Sequence, residues 1–280
     1  MAEGEGLVAV VAEGEGLAAE SVMLCSSEQK TALEIRNGLA QIDYLTYLIV
    51  ELGAREIRES HVRELQKIAI EGIYGCGGEY VDALTLRTIS DGTHKPPHVA
   101  DVRNLITECV EWVNSERIKG RQEIECAAYA MWRINWIHPF RGGNGRTARM
   151  VAYAIICMAL KHMLPGVPSI PLQIQLRRDE YISLLRVVDA SLKEKLDVEN
   201  GAGGDGAGTG DGVAEPDGTD GVVAEPDGTD VPASTSMSEL LTMPDLTPLV
   251  EFLGPMVEAQ IQAGVHEAEK LSASTEPSSK

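Results

Sequence analysis

Apolar residues recur at helical spacing along most of the chain. Leu33, Leu39, Ile42, Leu45, Leu48 and Ile49 predict one amphipathic helix within residues 27–52. Val62, Leu65, Ile68 and Ala69 predict a second helix, and Val102, Leu105, Ile106, Cys109, Val110 and Val113 a third. Residues 127–137 are apolar nearly all round, and the same signal returns over 151–160; both predict buried helices. Tyr181, Leu184, Leu185 and Val188 give another. Strand signals are few. Residues 84–89 alternate, Asp91-Gly92 forms a turn, and 94–99 continue as an extended segment with Pro96 and Pro97, which reads as one short hairpin. Residues 237–261 are weakly helical and interrupted by Pro244, Pro248 and Pro255. The predicted class is mostly α.

Two repeats with a ten-residue period lie outside this pattern: AEGEGL over 2–7 and 12–17, and VAEPDGTD over 213–220 and 223–230. The second is built from Gly, Pro, Asp and Thr, and buries too little apolar area to offset its ordering entropy. The organisation predicted is a disordered N-terminus over 1–26, one folded domain over 27–198, a disordered acidic linker over 199–236, a helical segment over 237–264 and a disordered tail over 265–280.

Charge narrows the function. The net charge of −19 argues against nucleic acid, whose phosphate backbone needs a Lys/Arg footprint. Much of that charge is in the linker, where residues 199–236 hold nine acids and no Lys or Arg. The cysteines (Cys25, Cys76, Cys109, Cys126, Cys157) are scattered without metal spacing and read as buried thiols of a reducing compartment. No apolar run is long enough to span a membrane, and no basic residue precedes an apolar run at the N-terminus. A soluble cytoplasmic protein is expected. The oligomeric state stays open.

The chemistry concentrates in HPFRGGNGRTAR, residues 138–149. Pro139 disfavours the α conformation at His138, so the apolar helix before it ends there. Gly142 and Gly143 form a loop, and a new helix starts near Gly145. The start of a helix carries free N–H groups and the positive end of its dipole. Gly142, Gly143 and Gly145 let those amides curl round an anion, and Asn144 suits a cap. Arg146 and Arg149 share one face of the first turn, and two guanidiniums beside a helix start make a polyphosphate site. His138, at the other lip, suits a general base near neutrality. A base beside a phosphate cradle predicts attack of a hydroxyl on phosphorus.

The segment resembles the signature of the Fic family, HxFx[D/E]GNGRxxR, at His138, Phe140, Gly143, Asn144, Gly145, Arg146 and Arg149. WRINWIHPF before it, LPG at 164–166 and GTHKPPHV at 92–99 add to the likeness, which runs over about residues 31–189. The resemblance implies a compact helical bundle with a short β-hairpin flap, a catalytic domain over 27–198, and transfer of AMP from ATP to a Ser, Thr or Tyr hydroxyl of a target protein. It implies His138 as general base, Gly143, Asn144 and Gly145 around the phosphates, Arg146 and Arg149 along the phosphate chain, and Phe140 as the loop's anchor in the core. Tyr181 falls where the family often has paired tyrosines near the nucleotide; the second is Ile182 here. The flap would be residues 86–99, from Leu86 to Val99, whose edge would receive an extended target segment by strand addition.

The chain departs from the signature at one chemically important place. Gly142 stands where the family has the acidic residue that holds Mg²⁺. No protein ligand for a metal is expected, which leaves the ion to arrive with ATP, and a catalytically weakened or altered member is the alternative reading. Many members also carry an inhibitory helix, [S/T]xxxE[G/N], whose Glu pairs with the second motif Arg. The nearest match is KTALEI, with Glu34 as the acid and Lys30 and Ile35 in place of the flanking residues. His94 and His98 flank the Pro-Pro pair and read as flap packing rather than metal ligands.

Overall fold

The computed structural model describes residues 23–82, 94–201 and 242–275. Among them are eight α-helices: α1 Ser27–Thr46, α2 Glu59–Ile70, α3 Val102–Ile118, α4 Glu123–Ile137, α5 Asn144–Leu160, α6 Ile170–Leu176, α7 Arg178–Gly201 and α8 Thr247–Thr275. The mostly α expectation holds. The alternating 84–89 segment and the Asp91-Gly92 turn lie outside the described residues. Within them the only β pairing is two isolated bridges, Met23 with Tyr74 and Tyr80 with Phe140.

The core is the α4–α5 pair. Residues 126–134 of α4 and 150–158 of α5 are buried throughout, as their all-round apolar pattern requires. α3 packs on α4, α2 on α5, and α1 on α2. α6, α7 and α8 close the opposite side. α1 starts at a capping box: Ser26 Oγ accepts from the Gln29 N–H, and Gln29 Oε1 accepts from the Ser26 N–H, satisfying two N–H groups that would otherwise lack partners.

α1 differs from its apolar reading. Leu39 is 64% exposed, while Asn37 and Gln41 are buried. The reason is the backbone of α2, whose carbonyls, both within the helix and at its C-terminal end where helical partners are lacking, take amide donors from α1. Asn37 Nδ2 donates to Glu71 O at 2.8 Å, and Gln41 Nε2 donates to Leu65 O at 2.7 Å. Amide side chains thus fasten α1 to α2, and α1 is thereby held beside the 138–149 loop.

α8 runs through Pro255 and on to Thr275, past the residue 264 boundary expected. It is seated on the 164–170 loop by Gln260, which donates to Leu164 O and accepts from the Ile170 N–H. A Cβ on Gly264 would come within 2.6 Å of Pro165. Gly264→Ala is therefore expected to lower stability by about 1–3 kcal/mol, although alanine favours helix. Urea unfolding at equilibrium checks this.

Candidate active site

The loop between α4 and α5 is held from three sides. Phe140 is fully buried and packs on Tyr80 with ring centroids 5.3 Å apart. The Val81 N–H donates to Pro139 O at 2.9 Å. Asn144, 3% exposed, receives the Phe140 N–H on Oδ1 at 3.0 Å and donates from Nδ2 to Phe140 O at 2.7 Å. Asn144 was expected to cap the helix. Instead Gly143 is the capping residue, and the Asn144 side chain closes the loop on itself. Phe140→Ala should cost about 3–5 kcal/mol of stability, read by chemical denaturation.

α4 ends as the Pro139 argument requires. His138 caps it in the left-handed region, at φ 50° and ψ 58°. For a residue with a Cβ this conformation costs energy and persists only where the surroundings fix it. The imidazole is half-buried and lines a cleft of about 420 Å³ with Asn135, Trp132, Trp136, Ile182 and Asp189. That volume is in the range of small-molecule sites.

Across the loop, Gly143 has φ 79°, and a Cβ there would meet Ile70 Cγ2 at 2.7 Å; both facts require glycine. Among the described residues, the N–H groups of Gly143, Asn144, Gly145 and Arg146 donate to no protein acceptor, and Thr147 is the first to bond back, to Gly143 O at 2.9 Å. Arg146 Nη1 donates to Ala69 O at 2.6 Å and lies 3.6 Å from Glu34 Oε1. Arg149 Nη2 donates to Gln175 Oε1 at 2.8 Å; among the described residues no carboxylate lies within 4.0 Å of it. Burial lowers the pKa of both guanidiniums, with Glu34 opposing this at Arg146 and Tyr181 at Arg149. An anion arriving here meets cations already stripped of much of their water, where electrostatic attraction is stronger.

The remaining predicted residues sit as follows. Gly142 has the Tyr74 ring against it: a Cβ would lie 3.1 Å from Tyr74 Cε2. Its carbonyl accepts from Gln66 Nε2 at 2.9 Å. Tyr181 is 3% exposed, stacked on Phe252 with its hydroxyl accepting from Asn135 Nδ2 at 2.8 Å, and burial raises its pKa. Its ring faces the core, and what it offers the site is a hold on Asn135, a cleft residue. Arg141 turns away to Asp82 at 3.5 Å. His94 Nε2 donates to Trp136 O at 2.7 Å, and its Nδ1 is 3.6 Å from Asp189 Oδ2. His98 Nδ1 caps Ala100 N–H. Glu34, the acid of the nearest match to the inhibitory helix, reaches the site, although its partner is Arg146 rather than Arg149.

The position for magnesium does not fit the ion. Residue 142 supplies no side chain, its carbonyl is taken by Gln66, and an aromatic ring covers the space. Among the described residues no group of three or more His, Cys, Asp or Glu could hold a metal, and no helix is long and apolar enough to cross a membrane. Burial pushes the Cys126 and Cys157 thiols up to about 11, consistent with unreactive core cysteines.

Sequence reasoning missed Gln66, Asn135, Gln175 and most of the cleft wall. The wall had a signal: Arg178, Ile182, Leu185, Arg186 and Asp189 follow helical spacing along one face of α7. The amides had none, since a buried Gln looks like a surface one in sequence.

Residues 56–156 match the Fic/DOC family. The chain is 30% identical over 141 residues to "Protein adenylyltransferase Fic" of Drosophila persimilis, covering 50% of this chain and 25% of that protein. It is 33% identical over 136 residues to "Protein adenylyltransferase fic-1" of Caenorhabditis briggsae, covering 48% and 24%. The chain thus spans about a quarter of the length of these curated relatives. In fold it is similar to a Fic domain containing signaling protein from Bacteroides thetaiotaomicron, with TM-score 0.60 at 18% identity over 88% of this chain and 76% of that one. Fic-1 of C. elegans gives TM-score 0.52 at 20% identity over 86% and 53%.

Proposed function

Because the chain belongs to the Fic/DOC family, we propose that it transfers AMP from ATP to a hydroxyl side chain of a target protein. His138 takes the proton of the acceptor hydroxyl. The hydroxyl oxygen forms a bond to the α-phosphorus, the bond from that phosphorus to the bridging oxygen of the β-phosphate breaks, and pyrophosphate leaves. The free amides of the α5 start, with Arg146 and Arg149, hold the phosphates and take up charge that builds on them. The cleft beside His138 takes the nucleoside.

The observation that carries this reading is one of adjacency. The imidazole lines a cleft of about 420 Å³, on the short loop that leads directly into the unpaired amides and the two partly desolvated arginines of the α5 start. The target segment is proposed to dock along residues 86–99, of which 94–99 are described.

The test uses ATP labelled on either the α- or the γ-phosphate, with lysate proteins as acceptors. Label from the α position on protein is the expected result. Label from the γ position alone would mean a kinase-like reaction and would overturn the proposal.

A second reading, a weakened member, is favoured by Gly142 and the Tyr74 ring against it. Without a carboxylate at 142 no step is routed through a protein-held metal, and slow transfer is the expectation.

Glu34 is proposed to restrain the site. Its carboxylate occupies Arg146, a cation the phosphates need. Glu34→Gln should raise transfer about 1.5-fold to fivefold, the range expected for freeing a partly exposed ion pair. The initial rate of label incorporation measures it, and an unchanged or lower rate counts against the restraint.

A further inference from the structure

We infer that Gln66 is a positioning residue for the triphosphate: its buried side-chain amide turns the Gly142–Gly143 peptide so that the Gly143 N–H is presented to the phosphates. The inference rests on the nucleotide reading above and assigns a role to a residue outside the 138–149 motif.

Gln66 sits on α2 and is fully buried. Its Oε1 accepts from the Gly78 N–H at 2.6 Å. An N–H can only donate, so the orientation of the side-chain amide is fixed by that bond. Nε2 is thereby aimed at Gly142 O, to which it donates at 2.9 Å. In a trans peptide the carbonyl and the following N–H point in opposite directions within one plane. With the Gly142 carbonyl drawn towards α2, the Gly143 N–H must point away from α2, and it meets no acceptor among the described residues.

The loop cannot easily slide off this support. Ile70, one turn along α2, would be 2.7 Å from a Cβ on Gly143, so the loop already touches the helix. Between them, Ala69 O receives Arg146 Nη1 at 2.6 Å. One turn of α2 therefore sets both an amide and a guanidinium of the phosphate cradle. If Gln66 loses its donor, the Gly142 carbonyl is left without its partner, and the peptide can turn over. A turned peptide presents carbonyl lone pairs where the phosphates expect a donor.

The test titrates the full-length protein and two variants, Gln66→Glu and Gln66→Met, with ATP and separately with adenosine, by calorimetry at about pH 8 and about pH 5.5. At the higher pH both variants should bind ATP about tenfold more weakly than wild type, the loss expected for one such hydrogen bond. Adenosine, which lacks phosphates, should bind within about twofold of wild type. A buried carboxyl keeps its proton to higher pH than usual, and protonated Glu can again donate to Gly142 O. Measured against wild type at the same pH, Gln66→Glu should regain most of its ATP affinity at the lower pH, while Gln66→Met should not. Should Gln66→Glu lose its fold at the higher pH, the comparison of the two variants at the lower pH carries the test. Equal losses for ATP and adenosine, or no loss for either, would overturn the inference while leaving the nucleotide reading in place. A wild-type protein that binds adenosine but gains nothing from the phosphates would overturn both.

Discussion

Replacing His138 with Ala should lower the rate of AMP transfer by about 10²–10⁴-fold, the range for losing a general base, while ATP affinity stays within about twofold of wild type. The split follows from the geometry. His138 lines the cleft but is not among the groups proposed to hold the phosphates, which are the amides of the α5 start, Arg146 and Arg149. The left-handed backbone at His138 also predicts the character of the variant. Alanine has the same difficulty at φ 50°, so the loop gains no relief from the exchange, and any fall in rate reports the lost imidazole. Initial rates of label transfer, with a parallel ATP titration, separate the two effects. Loss of ATP binding together with activity would mean that His138 shapes the pocket rather than moving a proton.

Restoring an acid at position 142 should have the second largest effect on the transfer rate, and the structure says it will need help. The family signature places a carboxylate there, and Gly142→Asp is the obvious repair. A Cβ at 142 lies 3.1 and 3.3 Å from two Tyr74 ring atoms, tighter than ordinary contact. The single variant should therefore gain little. Gly142→Asp combined with Tyr74→Ala opens the room, and should raise magnesium-dependent transfer by at least about tenfold, given that metal charge stabilisation contributes several kcal/mol. Label transfer with and without added magnesium is the measurement. A single variant as active as the double would show that Tyr74 yields freely, and a double variant no faster than wild type would show that the missing carboxylate does not limit the reaction.

What the sequence revealed, and what it hid, follows a physical divide. Helices whose burial is apolar were legible. The all-round pattern of α4 and α5 named the core pair, and His138-Pro139 named the break between them. The motif residues stood out as candidates because each carries its chemistry in its own type: imidazole, guanidinium, glycine. The supports of the site did not. Asn37 and Gln41 face inward on α1 while Leu39 faces outward, because backbone carbonyls of α2 and of its C-cap reward amides over methyl groups. Asn144 was read as a cap, but its amide is matched in both directions to the Phe140 backbone. Tyr181 was placed by resemblance near the nucleotide, and its ring stacks on Phe252, a residue of α8 more than seventy positions away in sequence. No local pattern could foresee that pairing. Glu34 lay between the two cases: its position on a helix was clear, but its reach to Arg146 depends on how α1 leans on α2.

These supports share a feature. Gln66, Ala69 and Ile70 of α2 and Glu34 of α1 all act on the loop or on Arg146. The α1–α2 pair is thus the platform on which the 138–149 loop and the α5 start are set, and a change in that pairing alters both without touching the motif.

The account depends most on the mouth of α5 gripping a triphosphate. Titrating ATP into wild type and into the Arg146→Ala, Arg149→Ala double variant tests that directly, with circular dichroism to verify the fold. Saturable binding that weakens about a hundredfold or more in the double variant is the result predicted from two charge-assisted contacts. Wild-type protein that does not saturate with ATP, or a folded double variant that binds as tightly as wild type, would contradict it.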